Sequence, residues 1–192
     1  QGGDGLPYTG NYAVQWPGRT RLEIADVFLA VVDGDKGWVK ANGETREMTR
    51  EELAYHKATQ YADWVGRLTP LRDKAFTLAP LKESKVDGRP ALGVKVSRKG
   101  HADISLFFDK KSGLPVKSAY TTTSPEQEYK EVKQETFYKD YKDVSGIKIP
   151  GKVVIKRDGK LYVEGESSDV KFVKKLDDST FAKPEWACPI GG

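Results

Sequence analysis

The run Lys110-Lys-Ser-Gly113 sets two ammonium groups beside a hydroxyl and a glycine, directly after Asp109. Those are ingredients of a phosphate cradle, with a carboxylate placed for acid or base work. A phosphate-binding loop, however, needs glycines ahead of its Lys-Ser pair and a helix after it. Here Leu114-Pro115 and an alternating run follow, so a corner between two strands accounts for the segment better. Asp33-Gly-Asp-Lys-Gly37 opens like a calcium loop, and Glu44 stands at the closing position. Gly37 occupies the place of the third oxygen ligand and Trp38 that of the sharp-turn glycine, which again favours a hairpin.

Other constellations are thinner still. His56 and His101 lack metal-type spacing to any partner and read as surface histidines. Cys188 stands alone, which leaves no disulfide framework and no thiolate cluster. Gly165-Glu-Ser-Ser168 is not a nucleophile elbow. The 28 acidic residues offer many pairs suited to glycoside hydrolysis, with nothing to single one out. Tyr129-Lys and Phe137-Tyr-Lys139 put aromatics beside lysines as base-stacking platforms do. Strand packing explains them as well, and 32 basic residues interleaved with the acidic ones make a solvated surface rather than a nucleic-acid track. No catalytic set, metal site or cofactor is implied.

The elements that would position any site are clearer. Short alternating runs end again and again in turn signals, as in Asn11 to Trp16, Arg19 to Ala25, and Val27 to Val32. Asn42-Gly43, Asp87-Gly88, Ser145-Gly146 and Asp158-Gly159 are tight-hairpin dipeptides or close to them. Thr49-Arg-Glu-Glu52 fits a capping box. Beyond it Leu53, Ala54, Ala58, Tyr61, Trp64, Val65 and Leu68 recur at helical spacing up to Pro70. The chain therefore reads as about ten strands in an antiparallel meander, with one helix inserted early. Alternation gives one sheet a dry face carrying Leu92, Val94, Val96, Ile104, Leu106, Phe108, Val116 and Tyr120, with Ser118 among them. The helical stripe is its natural cover. The longest apolar run, Val27 to Val32, is strand-sized, and no segment approaches a membrane span. At 192 residues one domain over 1–192 is expected.

Several segments resemble the outer-membrane lipoprotein carrier and sorting proteins, the LolA-like family. These are Ile104-Ser-Leu-Phe-Phe-Asp-Lys-Lys-Ser-Gly-Leu-Pro-Val116, Tyr138-Lys-Asp-Tyr-Lys-Asp-Val-Ser-Gly-Ile-Lys-Ile-Pro150, Asp158-Gly159 and Leu176-Asp-Asp-Ser-Thr-Phe-Ala-Lys-Pro184. Trp16-Pro-Gly-Arg-Thr-Arg-Leu-Glu23 and Asp33-Gly-Asp-Lys-Gly-Trp38 resemble its early strands. The resemblance implies a mostly β fold, a curved antiparallel sheet forming an open half-barrel with a helix over its concave face. It implies a non-enzymatic, periplasmic or otherwise exported carrier, not an integral membrane protein, that holds acyl chains of a lipid or lipoprotein. Membrane-associated donor and acceptor proteins would be its partners, and nucleic acid would not. The ligand would meet Ile104, Leu106, Phe108, Val116 and Tyr120 from the sheet and Tyr61, Trp64 and Val65 from the helix, with Arg21 contacting the lid. Family members begin with a helix before the first strand, whereas this sequence starts almost at strand one. Two alternatives stay open: an interaction module that binds a partner protein through its sheet, and a glycan-active hydrolase. A filled core and a closed cavity share one residue pattern, so the apolar set fits either.

Overall fold

Two-residue turns at the expected dipeptides set the architecture. Asn42 and Gly43 have φ of 52° and 80°, and Asp158 and Gly159 of 46° and 77°. Both central residues of a type I′ hairpin must adopt such positive values, which Asn, Asp and Gly tolerate. In this computed structural model residues 7–24 and 27–185 are described. Cys188 and Ala25 lie outside the described residues. The chain divides into two units, one built from residues 62–172 and the other from the segments before and after them.

In the flanking unit, β1 (Gly10–Gln15), β2 (Arg19–Ile24), β3 (Phe28–Asp33), β4 (Lys36–Ala41) and β5 (Glu44–Glu47) form a five-stranded antiparallel meander. Leu29 and Val31 of β3 and Phe181 of the closing segment form its core, with Trp38 and Leu176 packed against them. Asp177 caps the short 3-10 helix Asp178–Phe181 by accepting from the Ser179 amide at 2.8 Å. Arg19 fastens the closing segment to the sheet. Its guanidinium pairs with Asp33 at 2.9 Å and Asp178 at 2.7 Å, and lies 4.7 Å from the centre of the Phe181 ring.

Helix α1 (Arg50–Gly66) begins at the expected capping box. The Glu52 amide donates to Thr49 Oγ1 at 3.2 Å, and the Thr49 amide donates to Glu52 Oε2 at 2.7 Å. Arg46 adds a bidentate grip on Glu52, both bonds 2.6 Å long, and holds its carboxyl below the usual range. Gly37 on β4 leaves room for the helix: a Cβ there would meet Met48 and Leu53. Gln60 donates to buried Thr20 Oγ1 at 2.6 Å. Ala54, placed on the apolar stripe by spacing, is exposed. The helix stops at Gly66, before Pro70, which instead sits in a 3-10 turn, Thr69–Arg72.

The unit of residues 62–172 holds β6 (Thr77–Pro80), β7 (Ser84–Val86), β8 (Arg89–Ser97), β9 (Ile104–Asp109), β10 (Pro115–Ser124) and β11 (Lys130–Lys139). After them come β12 (Lys142–Val144), β13 (Ile147–Ile149), β14 (Lys152–Arg157) and β15 (Lys160–Glu166). Eight of these form one open antiparallel sheet in the order β15-β14-β11-β10-β9-β8-β6, with β7 also on β8, and β12-β13 is a separate hairpin. The expected class holds: mostly β, antiparallel, with one α-helix among the described residues. Among the described residues the fifteen strands exceed the ten expected, because β5, β6, β7, β12 and β13 are three or four residues long, too short to show alternation.

The corner after β9 is a turn and nothing more chemical. Asp109 Oδ1 accepts from the Lys111 amide at 3.1 Å and from the Ser112 amide and hydroxyl at 2.7 and 2.9 Å, which lowers its pKa. Gly113 takes φ of 71°, and Lys110 is paired to Glu83 at 2.7 Å. At the other suspected loop, Asp33 is held by Arg19, Asp35 pairs with Lys57 at 2.5 Å, and β3 and β4 close as a hairpin.

Candidate ligand-binding face

Register decides which side chains share a face. Leu106 lies opposite Ser118, and Ser118 opposite Thr136. One step along, Tyr120 lies opposite Gln134, and Gln134 opposite Arg157. On β8, Val94 and Val96 face Leu106 and Ile104. The end of α1 rests on this same face: a Cβ at Gly66 would sit 3.7 Å from the Tyr138 hydroxyl, which is hydrogen-bonded to Ser118 Oγ at 2.9 Å. The helix end and the inner sheet face are thus neighbours within this unit.

The anticipated ligand residues fall into two groups. Val65, Ile104, Leu106, Tyr120 and Tyr61 are buried, with Val65 and Ile104 at 0% and Leu106 at 1% exposure. Trp64, Phe108 and Val116 are half-buried. Val116 falls at a register shift between Pro115 and Lys117, where β9 and β10 part by one residue. Such a bulge bends the strand and re-aims the side chain. Trp64 stands edge-on to Phe76, centroids 5.9 Å apart, and Arg98 lies 5.6 Å from its ring centre. Arg21, expected at the lid, is half-buried in the other unit and bonds Glu23 on its own strand at 2.8 Å.

The face is less dry than alternation suggested. Gln134 donates to the Tyr120 hydroxyl at 2.7 Å, and Arg157 Nε donates to Gln134 Oε1 at 3.1 Å. Arg157 also donates to Ser124 Oγ at 3.2 Å and Glu126 at 2.7 Å, while Tyr162 lies against the guanidinium at 3.6 Å. Burial pushes the Glu126 pKa up, but bonds from Tyr162, Ser124 and Arg157 more than offset this and leave it lowered. A buried charge persists only when paired and hydrogen-bonded in this manner. None of this chain was visible from spacing, since Gln134, Thr136 and Arg157 sit in runs that read as mixed charge.

A second polar group lies at the helix end. Asp63, in the last turn of α1, is open to solvent yet closely surrounded by protein. Those surroundings push its carboxyl up to about 6, against the pull of Arg67 one turn on. Burial also raises the Tyr138 hydroxyl, Asp63 adding to the effect, and pushes Tyr141 up to about 12. Tyr141 donates to the Pro115 carbonyl at 2.7 Å, beside the bulge. The sequence signal for Asp63 was an acidic residue at the helix C-terminus, where the backbone dipole disfavours negative charge.

Elsewhere, Arg89, Pro90, Asp109, Lys110, Lys111 and Ser112 line a shallow depression of about 680 Å³ at the β9–β10 corner. Within it Asp109 accepts from Ser112 and the Lys111 amide, and Lys110 pairs with Glu83.

Neither a protein-family model nor a curated protein sequence matches the chain. Solved structures do. A LolA superfamily protein from Nitrosomonas europaea aligns over 95% of this chain and 86% of its own, with a TM-score of 0.59 at 12% identity. A putative outer-membrane lipoprotein-sorting protein domain from Vibrio parahaemolyticus covers 89% of this chain and 78% of its own, TM-score 0.55, 13% identical. A DUF1329 family protein from Desulfovibrio piger covers 90% and 79%, TM-score 0.55, 15% identical. The chain has a LolA-like fold. Among the described residues no helix is long and apolar enough to cross a membrane.

Proposed function

We propose that this protein is a non-enzymatic, exported carrier that sequesters acyl chains of a lipid or lipoprotein beside the inner sheet face, in the periplasm or an equivalent compartment. What supports this reading is a LolA-like fold in which the end of α1 lies beside Tyr138 of the sheet, together with the half-burial of Trp64, Phe108 and Val116. These offer contact area that an acyl chain can cover, at roughly 25 cal/mol per Å² removed from water. Val65, Ile104, Leu106, Tyr120 and Tyr61 back them, and would join the lining when the helix shifts. Arg21 is proposed as a contact of the moving helix, and residues 1–192 as a single functional domain. Membrane-associated donor and acceptor proteins complete the proposal.

Native mass spectrometry of protein from a bacterial host, followed by lipid extraction, tests it. Co-purified acyl lipid is the expected outcome. A clean apo mass, with no binding of a fluorescent fatty acid, would overturn the carrier reading. The alternative, a partner-binding module, is favoured by one feature: β15 ends the eight-stranded sheet and bears Leu161 and Tyr162 at 59% and 39% exposure, as strand-addition surfaces do.

A further inference from the structure

Arg98, just past the end of β8, is a half-buried cation with no counter-ion among the described residues. Its guanidinium carbon lies 5.6 Å from the Trp64 ring centre and 5.1 Å from that of Phe76, and those two rings meet edge to face. A ring face attracts a guanidinium but offers its N–H donors no oxygen acceptor. Among the described residues no carboxylate pairs with Arg98 and no side chain accepts a hydrogen bond from it. The acid on the same turn is committed elsewhere: Asp103 pairs with Lys95 at 3.2 Å and accepts from Ser97. Other shielded arginines differ. Arg19, Arg21 and Arg157 hold carboxylates at 2.7, 2.8 and 2.7 Å. The charge of Arg98 is also felt at His101, whose pKa burial lowers first and Arg98 lowers further.

An apolar track runs up to this cation. Leu92, Val94 and Val96 alternate onto one face of β8, and Arg98 stands two residues further on. Phe108 of β9 lies opposite Leu92, and Leu78 of β6 lies opposite Val96. Leu78 and Leu92 are 50% and 45% exposed, while Val94 and Phe108 are half-buried. Clustered aliphatic surface of this kind is open to an apolar ligand. From Leu92 to Arg98 the chain covers about 20 Å at strand rise, the reach of a long acyl chain.

We propose that Arg98 anchors the oxyanion of an acyl ligand, a carboxylate or a phosphate, whose chain runs back along Val94 and Leu92 toward Phe108. This rests on the carrier reading and names the headgroup chemistry within it. A planar guanidinium takes two oxygens of either group at once, and partial shielding from water strengthens the bond. A neutral or cationic headgroup would leave Arg98 as it stands, without a counter-ion.

Equilibrium dialysis with radiolabelled laurate, dodecyl phosphate and monolauroylglycerol tests the anchor, each below its micelle concentration and with laurate ionised. The native protein should bind the better of the two anions about tenfold more tightly than the monoacylglycerol, a charge-assisted bond's worth. A preference for either anion supports the anchor, and which one is preferred tells a carboxylate source from a phosphate one. Arg98→Met keeps an unbranched apolar stem beside Trp64 and Phe76 and should bring the ratio to about one. Arg98→Lys keeps the charge without the fork and should retain part of the preference. If Arg98→Met folds poorly, Arg98→Gln repeats the test. A ratio near one in the native protein, or a preference that survives removal of the charge, overturns the anchor and leaves the carrier reading intact. If none of the three ligands binds the native protein, the carrier reading fails and the anchor with it.

Discussion

Replacing Arg157 with methionine should destabilise the protein far more than neutralising its charge partner. Arg157 retains 5% of its side-chain exposure, whereas Glu126 retains 53%. In Arg157→Met, Glu126 is rehydrated at little cost, and Ser124 Oγ keeps its bond to Glu126 at 2.8 Å. Gln134 Oε1 is different: it loses the Nε donor within a side chain that is 4% exposed. An orphaned buried acceptor costs about 1–3 kcal/mol, and the stacking on Tyr162 is worth about 0.5–1 kcal/mol more. Methionine fills most of the volume, so little cavity term is added. The expected loss is therefore about 1.5–4 kcal/mol. With a urea slope of about 2 kcal/mol per M, the midpoint falls by about 0.75–2 M. Glu126→Gln should cost less than about 1 kcal/mol, as exposed pairs do. Equal losses for the two variants, or a loss under 1 kcal/mol for Arg157→Met, would show that the buried polar chain does not hold this sheet face as described.

Further outcomes follow from single contacts. Thr49→Ala removes one half of the capping box and should cost about 1 kcal/mol by urea denaturation; it should also blunt the contribution of Glu52. That contribution is present above the unfolded carboxyl value and fades as pH falls through the lowered folded one. Asp63 carries the opposite sign. Its raised folded value penalises the native state fully above about 6, and the penalty vanishes as pH falls toward 3.8. Asp63→Asn should thus raise the thermal midpoint at pH 7 and leave it nearly unchanged at pH 4. Leu106→Ala should cost about 2–5 kcal/mol, because Leu106 is 1% exposed. Gly151→Ala should lower stability measurably in the same assay, since its Cβ would run into the Asp140 carbonyl oxygen, a backbone atom with little freedom to yield.

Turn chemistry made the strands after residue 82 legible. Asp87-Gly88, Ser145-Gly146 and Asp158-Gly159 each adopt the paired positive φ that their residue types allow, and strand boundaries follow from them. The helix was legible at its start because Thr49 and Glu52 satisfy each other's amides locally. Its end was not: the stripe continued to Leu68, but Leu68 takes a left-handed conformation leading into the 3-10 turn, which periodicity does not report. Candidate-site residues were legible where alternation meets burial, as at Ile104 and Leu106. The polar half of the face was hidden for a physical reason. Arg157, Gln134 and Tyr120 are satisfied by one another across three strands, and only the register brings them together. Asp63 was overlooked because an isolated acidic residue on a charged helix looks like solvated surface.

The central claim is that an acyl chain lies on the inner face, against Trp64, Phe108 and Val116. Photo-crosslinking with a fatty acid bearing a diazirine near its tail, followed by peptide mapping, tests it most directly. Adducts on Trp64, Phe108 or Val116, suppressed by unlabelled fatty acid, are the predicted result. Adducts confined to the opposite face, where Lys117 lies 5.5 and 5.2 Å from the ring centres of Phe107 and Phe137, or no competed adduct at all, would contradict it.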